Sequence, residues 1–517
     1  MTVPKHIAIL HYHLQKGGVT SVIQNALKAV DHQASFNLCS GPNQLSAPKD
    51  SFLEQQLCQR IIELPYLGYA LESSTLKPDI TNGLHPNLSN ALGAPLDNAA
   101  SLVDKLLSSL SSDGNNQPDL FHIHNHALGK NPVFSEMVYH LAVKNHRLLL
   151  QIHDFAEDGR PGNYAFLRKY IGDGKPENMG KMLYPQAPHI HYTVLNGRDQ
   201  SFLLKSGVSQ HRLHYLPNPV ATPPEGEPCK IDKLNYDRLL VYPTRAIRRK
   251  NIGELLLWAA MAQPGDVFAV TLAPQNPKTL PIYHRWISFS QKLDLPVQFD
   301  INARLDIPFN TLMRSADALI TTSIAEGFGL AFLEPWLYNR PLIGRNLPDI
   351  TRDFAQTGVD LSHLYNALRV PIEWIGEKVL HRKIDQAAEG YFKQYNRPLP
   401  YDFVEQVMQS MICDQRVDFG RLDEELQERV IQTVHASSSA RTEVDPPQLD
   451  IDLSATDIQH NCNIIQQKFS LEQYGQRIWD IYQAVDHSEP GQLEPFDADR
   501  LLDCFMEPSQ FNLLRTS

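Results

Sequence analysis

Two glutamates, Glu326 and Glu334, bracket the glycine-containing segment Phe328-Gly329-Leu330 in the run TTSIAEGFGLAFLE. The apolar run Ala318–Thr322 predicts a strand, and Gly329–Tyr338 predicts a helix. Glu326 then stands on a loop at the carboxyl end of a strand, where open α/β sheets bind ligands. Glu334 is expected roughly two turns into the helix. Glycine lets a ligand approach the backbone, and the free N–H groups of a helix start attract phosphate. Two carboxylates around such a backbone suit a ligand with hydroxyls on both sides of a diphosphate, as in a sugar nucleotide. The alternative is an exposed loop glutamate followed by a solvated helical one.

A basic segment, PTRAIRRKN (Pro243–Asn251), follows the predicted strand Arg238–Tyr242. Fixed cations beside a departing diphosphate stabilise the charge that develops on it. Arg suits bidentate phosphate contact and Lys acts as a point charge. Arg248 and Arg249 are expected to face solvent.

Near the amino terminus, Gly17 and Gly18 lie between the strand His6–Leu10 and a helix over Val19–Val30, whose apolar residues recur at helical spacing. Histidines cluster at two predicted strand ends, His122, His124 and His126 after Leu120 and His153-Asp154 after Ile152. The stretch 153–162 with Arg168 and Lys169 could line an acceptor pocket, or be an ordinary polar loop. A metal is not expected. The H-x-H-x-H run shows no carboxylate or cysteine partner. The two D-x-D matches, Asp450–Asp452 and Asp497–Asp499, lie in polar segments rather than after buried strands.

Strands alternate with helices through both halves of the chain, which predicts parallel βαβ units and two Rossmann-like halves. The Pro- and Glu-rich run near Ala221–Lys233 marks the boundary between them. A polar insertion is expected at about 70–117, and a second, less regular one at about 360–460. Phe469–Val485 has the pattern of an amphipathic helix, and 487–517 reads as a loosely held acidic tail.

The pattern from Glu326 to Glu334, with Arg245 and Lys250 after a strand, resembles the retaining glycosyltransferases of GT-B fold, especially glycosyltransferase family 4. Thr244 stands where that family usually has Gly, and Pro335-Trp336 where it has Ala-Met or Ala-Leu. The resemblance covers roughly residues 1–350 and 463–486. It implies two Rossmann-like domains facing each other across a cleft: an acceptor domain over 1–222, a donor-binding domain over 223–462, and a helix over 463–486 crossing back. It implies that Glu326 holds donor-sugar hydroxyls and Glu334 the ribose. The backbone of Phe328, Gly329 and Leu330 would meet sugar and phosphates, and Arg245 and Lys250 the leaving diphosphate. Gly17 and Gly18 would lie opposite that diphosphate. His124 would face the acceptor side of the donor sugar, with His153, Asp154 and Arg168 further toward the acceptor. The implied reaction is transfer of a hexose from a nucleoside-diphosphate sugar, with retention and without a metal cofactor. A sugar-nucleotide epimerase of the same fold and a non-catalytic sugar-nucleotide-binding subunit are the alternatives.

Composition narrows the partners. The 517 residues are 42% hydrophobic and 20% charged, with a formal net charge of −11 and no long Lys/Arg run, which argues against nucleic acid. Six cysteines without a C-x-x-C pair suggest neither a zinc site nor a disulfide scaffold. No apolar stretch approaches the roughly 20 residues that span a bilayer. A cytoplasmic protein acting on a small soluble acceptor is expected, with no stable membrane insertion; a homo-oligomer is compatible with the sequence.

Overall fold

The structure is a computed structural model that describes residues 4–42, 57–69, 99–111, 117–171, 175–231, 233–277, 279–449 and 452–516. The chain divides into two compact units. The first comprises Met1–Pro219 and Leu471–Phe505, the second Val220–Ser470 and Met506–Ser517.

The first unit is built on a seven-stranded parallel sheet of order β3-β2-β1-β4-β5-β6-β7. Its strands are β1 (His6–His11), β2 (Ser35–Ser40), β3 (Arg60–Glu63), β4 (Leu120–His124), β5 (Leu148–Ile152), β6 (Ile190–Val194) and β7 (Leu213–Tyr215). β4, β5 and β6 are buried along their whole lengths, as parallel strands covered on both faces must be. The helix Gly18–Val30 turns Val22, Ile23, Ala26, Leu27 and Val30 inward, where they share a core with Tyr474, Ile478, Ile481, Tyr482 and Val485 of the helix Leu471–Asp486. A Cβ on Gly475 would come 2.8 Å from the carbonyl oxygen of Ala29, so glycine permits this close helix approach. The last long helix therefore belongs to the first unit although it follows Val220–Ser470 of the second in sequence.

The second unit holds a five-stranded parallel sheet of order β10-β9-β8-β11-β12. Its strands are β8 (Arg238–Arg245), β9 (Asp266–Leu272), β10 (Val297–Gln298), β11 (Ala318–Thr321) and β12 (Leu342–Gly344). Leu239, Val241, Ala269, Leu312, Met313 and Leu319 form much of the core on one face. The pairing of β8 with β9 is irregular between Tyr242 and Arg245. Pro243 there has no N–H to give to a ladder, and such a residue is confined to edges and bulges. β8 nevertheless runs on to Arg245, three residues beyond the expected strand end.

Among the described residues of 360–460, β13 (Arg369–Pro371), β14 (Ile412–Cys413) and β15 (Arg416–Asp418) form an antiparallel sheet flanked by the helices Glu377–Gln394, Phe403–Met411 and Glu424–Ala436. One sequence expectation is corrected: the described residues of 487–517 are not a loose tail. The helix Ala498–Phe505 buries Leu501, Leu502, Cys504 and Phe505, and Phe505 packs against Phe155 and Phe202 in the first unit. Arg421 of the second unit then donates to the carbonyl oxygens of Pro508 and Phe511, and Leu513 and Leu514 are buried. Acidic residues hid an apolar stripe at helical spacing. Of the first insertion, 70–98 and 112–116 lie outside the described residues, and Ala99–Ser111 is an amphipathic helix. Among the described residues no helix is long and apolar enough to cross a membrane. None of the six cysteines, all among the described residues, is in a disulfide.

Candidate functional site

The second unit brings Lys250, Arg249 and Glu326 together at the carboxyl ends of β8 and β11. A 3-10 turn, Arg248–Lys250, follows β8, and Asn251 ends it in the left-handed region at φ 51°. Backbone contacts join this turn to the loop after β11. Ile324 N–H donates to the Arg249 carbonyl at 2.9 Å. Thr322 Oγ1 donates to the carbonyls of Lys250 and Asn251 at 3.0 and 3.1 Å. Glu326 is received on both oxygens: Lys250 Nζ and Ser323 Oγ (2.7 Å) donate to Oε1, and Arg249 Nη1 donates to Oε2 at 2.9 Å. The Tyr242 hydroxyl lies 2.8 Å from Ser323 Oγ and donates to the Lys250 carbonyl at 3.1 Å. Ser323 and Tyr242 thus hold the carboxylate and the turn in register. Neither carries a sequence signal beyond adjacency to the motif.

Arg249 does not simply face solvent; it reaches Glu326. Arg248 likewise pairs with Glu424 at 2.7 Å, so both side chains are engaged. In a 3-10 turn successive side chains leave the axis about 120° apart, so three neighbouring cations reach separate surroundings. Burial disfavours charge on Glu326, but Lys250 and Arg249 outweigh it and hold the carboxyl below its ordinary range.

Glu334 stands elsewhere than expected. A 3-10 turn occupies Leu330–Phe332, and a four-residue helix, Glu334–Leu337, begins at Glu334 itself. Pro335 explains this: its ring fits a first turn, where its missing N–H is no loss, and not a helix interior. So short an element has little macrodipole, and attraction for an anion falls to the free N–H groups and nearby cations. Burial pushes the Glu334 carboxyl up to about 7 against the pull of Lys250, and among the described residues no hydrogen bond reaches it. Gly329 has φ 93°, and a Cβ there would lie 2.8 Å from Ile350 Cγ2, so glycine is required on both counts. Phe328 turns its ring inward against Phe354 and Phe469, which leaves its backbone as the group able to meet a ligand. Leu330 is partly exposed. Arg245 ends β8, half-buried, and no hydrogen bond or ion pair holds its guanidinium among the described residues.

The region 360–460 braces this loop. Gln427 Nε2 donates to Asn251 Oδ1 at 2.8 Å, and Asn251 Nδ2 donates to Glu254 Oε2 at 2.8 Å. Buried Arg345 joins Glu254 to Asp418 through paired hydrogen bonds. These partners are far apart in sequence and left no local pattern.

In the first unit, the histidines lie at the ends of β1, β4 and β5. His122 and His124 alternate with Ile123 and so share a sheet face, with ring centroids 4.2 Å apart. His122 is structural, bonded to the Tyr482 hydroxyl at 2.8 Å and to Gln151 at 2.9 Å. His124 Nδ1 lies 2.9 Å from His153 Nε2, while its Nε2 is buried without a hydrogen-bond partner among the described residues. Burial lowers all of these rings: His11 and His122 to about 3, His153 to about 4, and His124 well below its ordinary value. Neighbouring rings reinforce the effect at His11, His122 and His124. Asn125 fixes the next loop, accepting from the backbone N–H groups of His153 and Asp154. Asp154 is ion-paired with Arg160. Arg168 lies in the last turn of the helix Pro161–Tyr170, and no contact joins it to His153 or Asp154 among the described residues. Gly17 caps the helix Gly18–Val30 in extended backbone, so no backbone strain requires glycine, and a Cβ on Gly18 would meet nothing within 4 Å. Among the described residues no group of three or more His, Cys, Asp or Glu has the geometry to hold a metal ion.

The chain is matched among solved structures. Sucrose-phosphate synthase from Thermosynechococcus elongatus superposes with a TM-score of 0.51 at 14% identity, covering 92% of this chain and 98% of that one. The fold is GT-B. The amino-terminal domain of Candida albicans trehalose-6-phosphate phosphatase gives a TM-score of 0.51 at 10% identity, covering 93% and 97%. In sequence, the chain is 26% identical over 501 residues to mannosylglucosyl-3-phosphoglycerate synthase of Petrotoga mobilis, covering 92% of this chain and 90% of that protein. No family model matches. The homologues of this GT-B chain are glycosyltransferases.

Proposed function

We propose that the protein is a retaining glycosyltransferase that moves a hexose from a nucleoside-diphosphate sugar to a hydroxyl of a small soluble acceptor. One observation carries the reading. A buried, ionised Glu326 held by Lys250 and Arg249 lies in the same loop as the glycine turn at Gly329, and Lys250 also acts on the carboxyl of Glu334, which no hydrogen bond reaches among the described residues. Glu326 and the backbone at Phe328, Gly329 and Leu330 receive the donor sugar and phosphates, and Glu334 receives the ribose. Arg245 and Lys250 stabilise the leaving diphosphate electrostatically, so no metal is required. The acceptor oxygen bonds to the anomeric carbon from the face the diphosphate leaves. The bond from that carbon to the phosphate oxygen breaks, and the hydroxyl proton passes to the departing phosphate. In the first unit, Gly17 and Gly18 leave room for the diphosphate. Neutral His124, steadied by His153, faces the reacting sugar. Asp154 and Arg168 serve the acceptor side.

The name of the Petrotoga protein points to a product in which mannose and glucose are carried on 3-phosphoglycerate. By likeness over most of both chains, we assign an anionic, phosphorylated glycoside as the acceptor class; the cytoplasmic location is proposed from the sequence alone.

Uridine, guanosine and adenosine diphosphate sugars, each with and without glucosyl-3-phosphoglycerate, test this directly. Nucleoside diphosphate released only with acceptor, in the presence of EDTA, and an anomer of unchanged configuration by NMR are expected. An isomerised donor without transfer would make the protein an epimerase, and binding without turnover a scaffold subunit.

A further inference from the structure

We infer that Arg249 is a third cation of the donor site, parked on Glu326 in the free protein and released to the donor diphosphate when sugar hydroxyls take the carboxylate. The inference rests on the donor-binding role proposed for Glu326. Three donors already occupy that carboxylate, and Lys250 and Ser323 share Oε1 while Arg249 alone holds Oε2. A carboxylate offers about four acceptor positions, so a first sugar hydroxyl takes the vacant one on Oε2 and a second arriving there competes with Arg249 and not with the pair on Oε1.

The two cations differ in how tightly they are held. The Lys250 side chain is 13% exposed, whereas that of Arg249 is 43% exposed. A half-exposed ion pair is weak, because water screens it and a long side chain loses freedom in making it. Arg249, whose Nη1 also donates to the Ala325 carbonyl at 2.9 Å, is therefore the partner that gives way, leaving both acceptors when it moves. Its backbone stays fixed by the hydrogen bond from Ile324 N–H, so the released guanidinium swings from a set point beside Lys250. A planar fork freed there suits two oxygens of a phosphate. Arg245, Arg249 and Lys250 then face a diphosphate with one carboxylate among them, and the sugar and the diphosphate each gain from the exchange.

A binding cycle decides the matter. Affinities for UDP, GDP and ADP are measured by calorimetry for the intact protein and for R249A, R249K, E326Q and E326Q/R249A, with thermal melts to confirm folding. R249A is expected to weaken the preferred nucleoside diphosphate about tenfold and to lessen its salt dependence, and R249K to recover most of the loss. E326Q frees Arg249, so affinity should rise several-fold when Arg249 is present and less than twofold when it is absent. Equal gains in both backgrounds, or R249A binding like the parent, would overturn the inference while leaving the donor-site reading intact. No nucleoside diphosphate bound by the parent protein would overturn both.

Discussion

Gln427, on the helix Glu424–Ala436, donates a 2.8 Å hydrogen bond to Asn251, the residue that follows Lys250. It also donates to the Phe419 carbonyl at 3.2 Å and is fully buried. A segment unlike the family pattern thereby reaches the turn that carries Lys250. Replacing Gln427 by Leu leaves buried Asn251 Oδ1 without this donor, at a cost of about 1–3 kcal/mol, while the Phe419 carbonyl keeps the N–H of Leu422. A lower melting temperature is expected, together with weaker nucleoside diphosphate binding. E424Q, which loosens Arg248 at the edge of the same turn, should weaken binding with a smaller loss of stability. Unchanged binding in a folded Gln427→Leu protein would show that the brace serves stability alone.

Lys250 and Glu326 form a nearly buried pair, with side-chain exposures of 13% and 8%. E326A and K250A are each expected to abolish transfer while the protein remains folded. Each also strands a buried partner, and breaking such a pair costs about 3–5 kcal/mol. In K250A the Arg249 contact remains on Glu326, so the loss should lie toward the low end. The double variant E326Q/K250M removes both charges and should melt above K250A, yet stay inactive. Thermal denaturation and donor turnover, measured on the same preparations, separate the two effects. Normal transfer by either single variant would remove these residues from the mechanism.

Much of this site was legible because its parts are local. Glu326, Gly329, Arg245 and Lys250 each lie within a few residues of a strand whose apolar run is plain, and a strand end sets where its loop must emerge. Arg249 was misread because adjacency to Lys250 says nothing about direction; a 3-10 turn does, and its presence depends on tertiary contact. Gln427 and Asp418 carried no signal, since their partners are separated from them by long stretches of chain. Pro335 was visible and is what shortens the helix at Glu334. In the carboxyl-terminal segment, acidic composition outweighed a short apolar stripe over Leu501, Leu502 and Phe505.

Acid should weaken the first unit selectively. Burial lowers His11 and His122 to about 3, and His126, His153, His191 and His214 to about 4. An unfolded histidine titrates near 6.5, so the unfolded chain takes up protons that the folded one refuses. The stability these neutral rings contribute is present above pH 6.5 and is lost as pH falls from there toward 4. Each ring accounts for a slope of about 1.4 kcal/mol per pH unit within that window. Two carboxyls raised to about 7, Glu157 and Glu334, act oppositely, losing stability as pH rises from 4.5 to 7, but they are outnumbered. Denaturant melts followed by Trp479 in the first unit and Trp258 in the second should show the first unit failing earlier at pH 5 than at pH 7. Parallel loss in both units would contradict the assignment of the titrating groups.

Glu334 is the group whose charge should follow the donor. With its carboxyl raised to about 7 by burial, it is about half protonated at neutral pH. Ribose hydroxyls donate to it best when it is ionised, because a hydrogen bond to a charged acceptor is stronger than one to a neutral acid. Binding of a nucleoside diphosphate should therefore expel a fraction of a proton near pH 7, and affinity should rise modestly from pH 6 to pH 8. Calorimetry in buffers of different ionisation enthalpy reads the proton directly. E334Q keeps the shape, cannot titrate, and should bind several-fold more weakly with no Glu334-linked proton release. Nucleotide phosphates also titrate near pH 6, so the comparison that counts is the difference between parent and E334Q in the same buffers. The same proton release in both would mean that Glu334 does not receive the ribose.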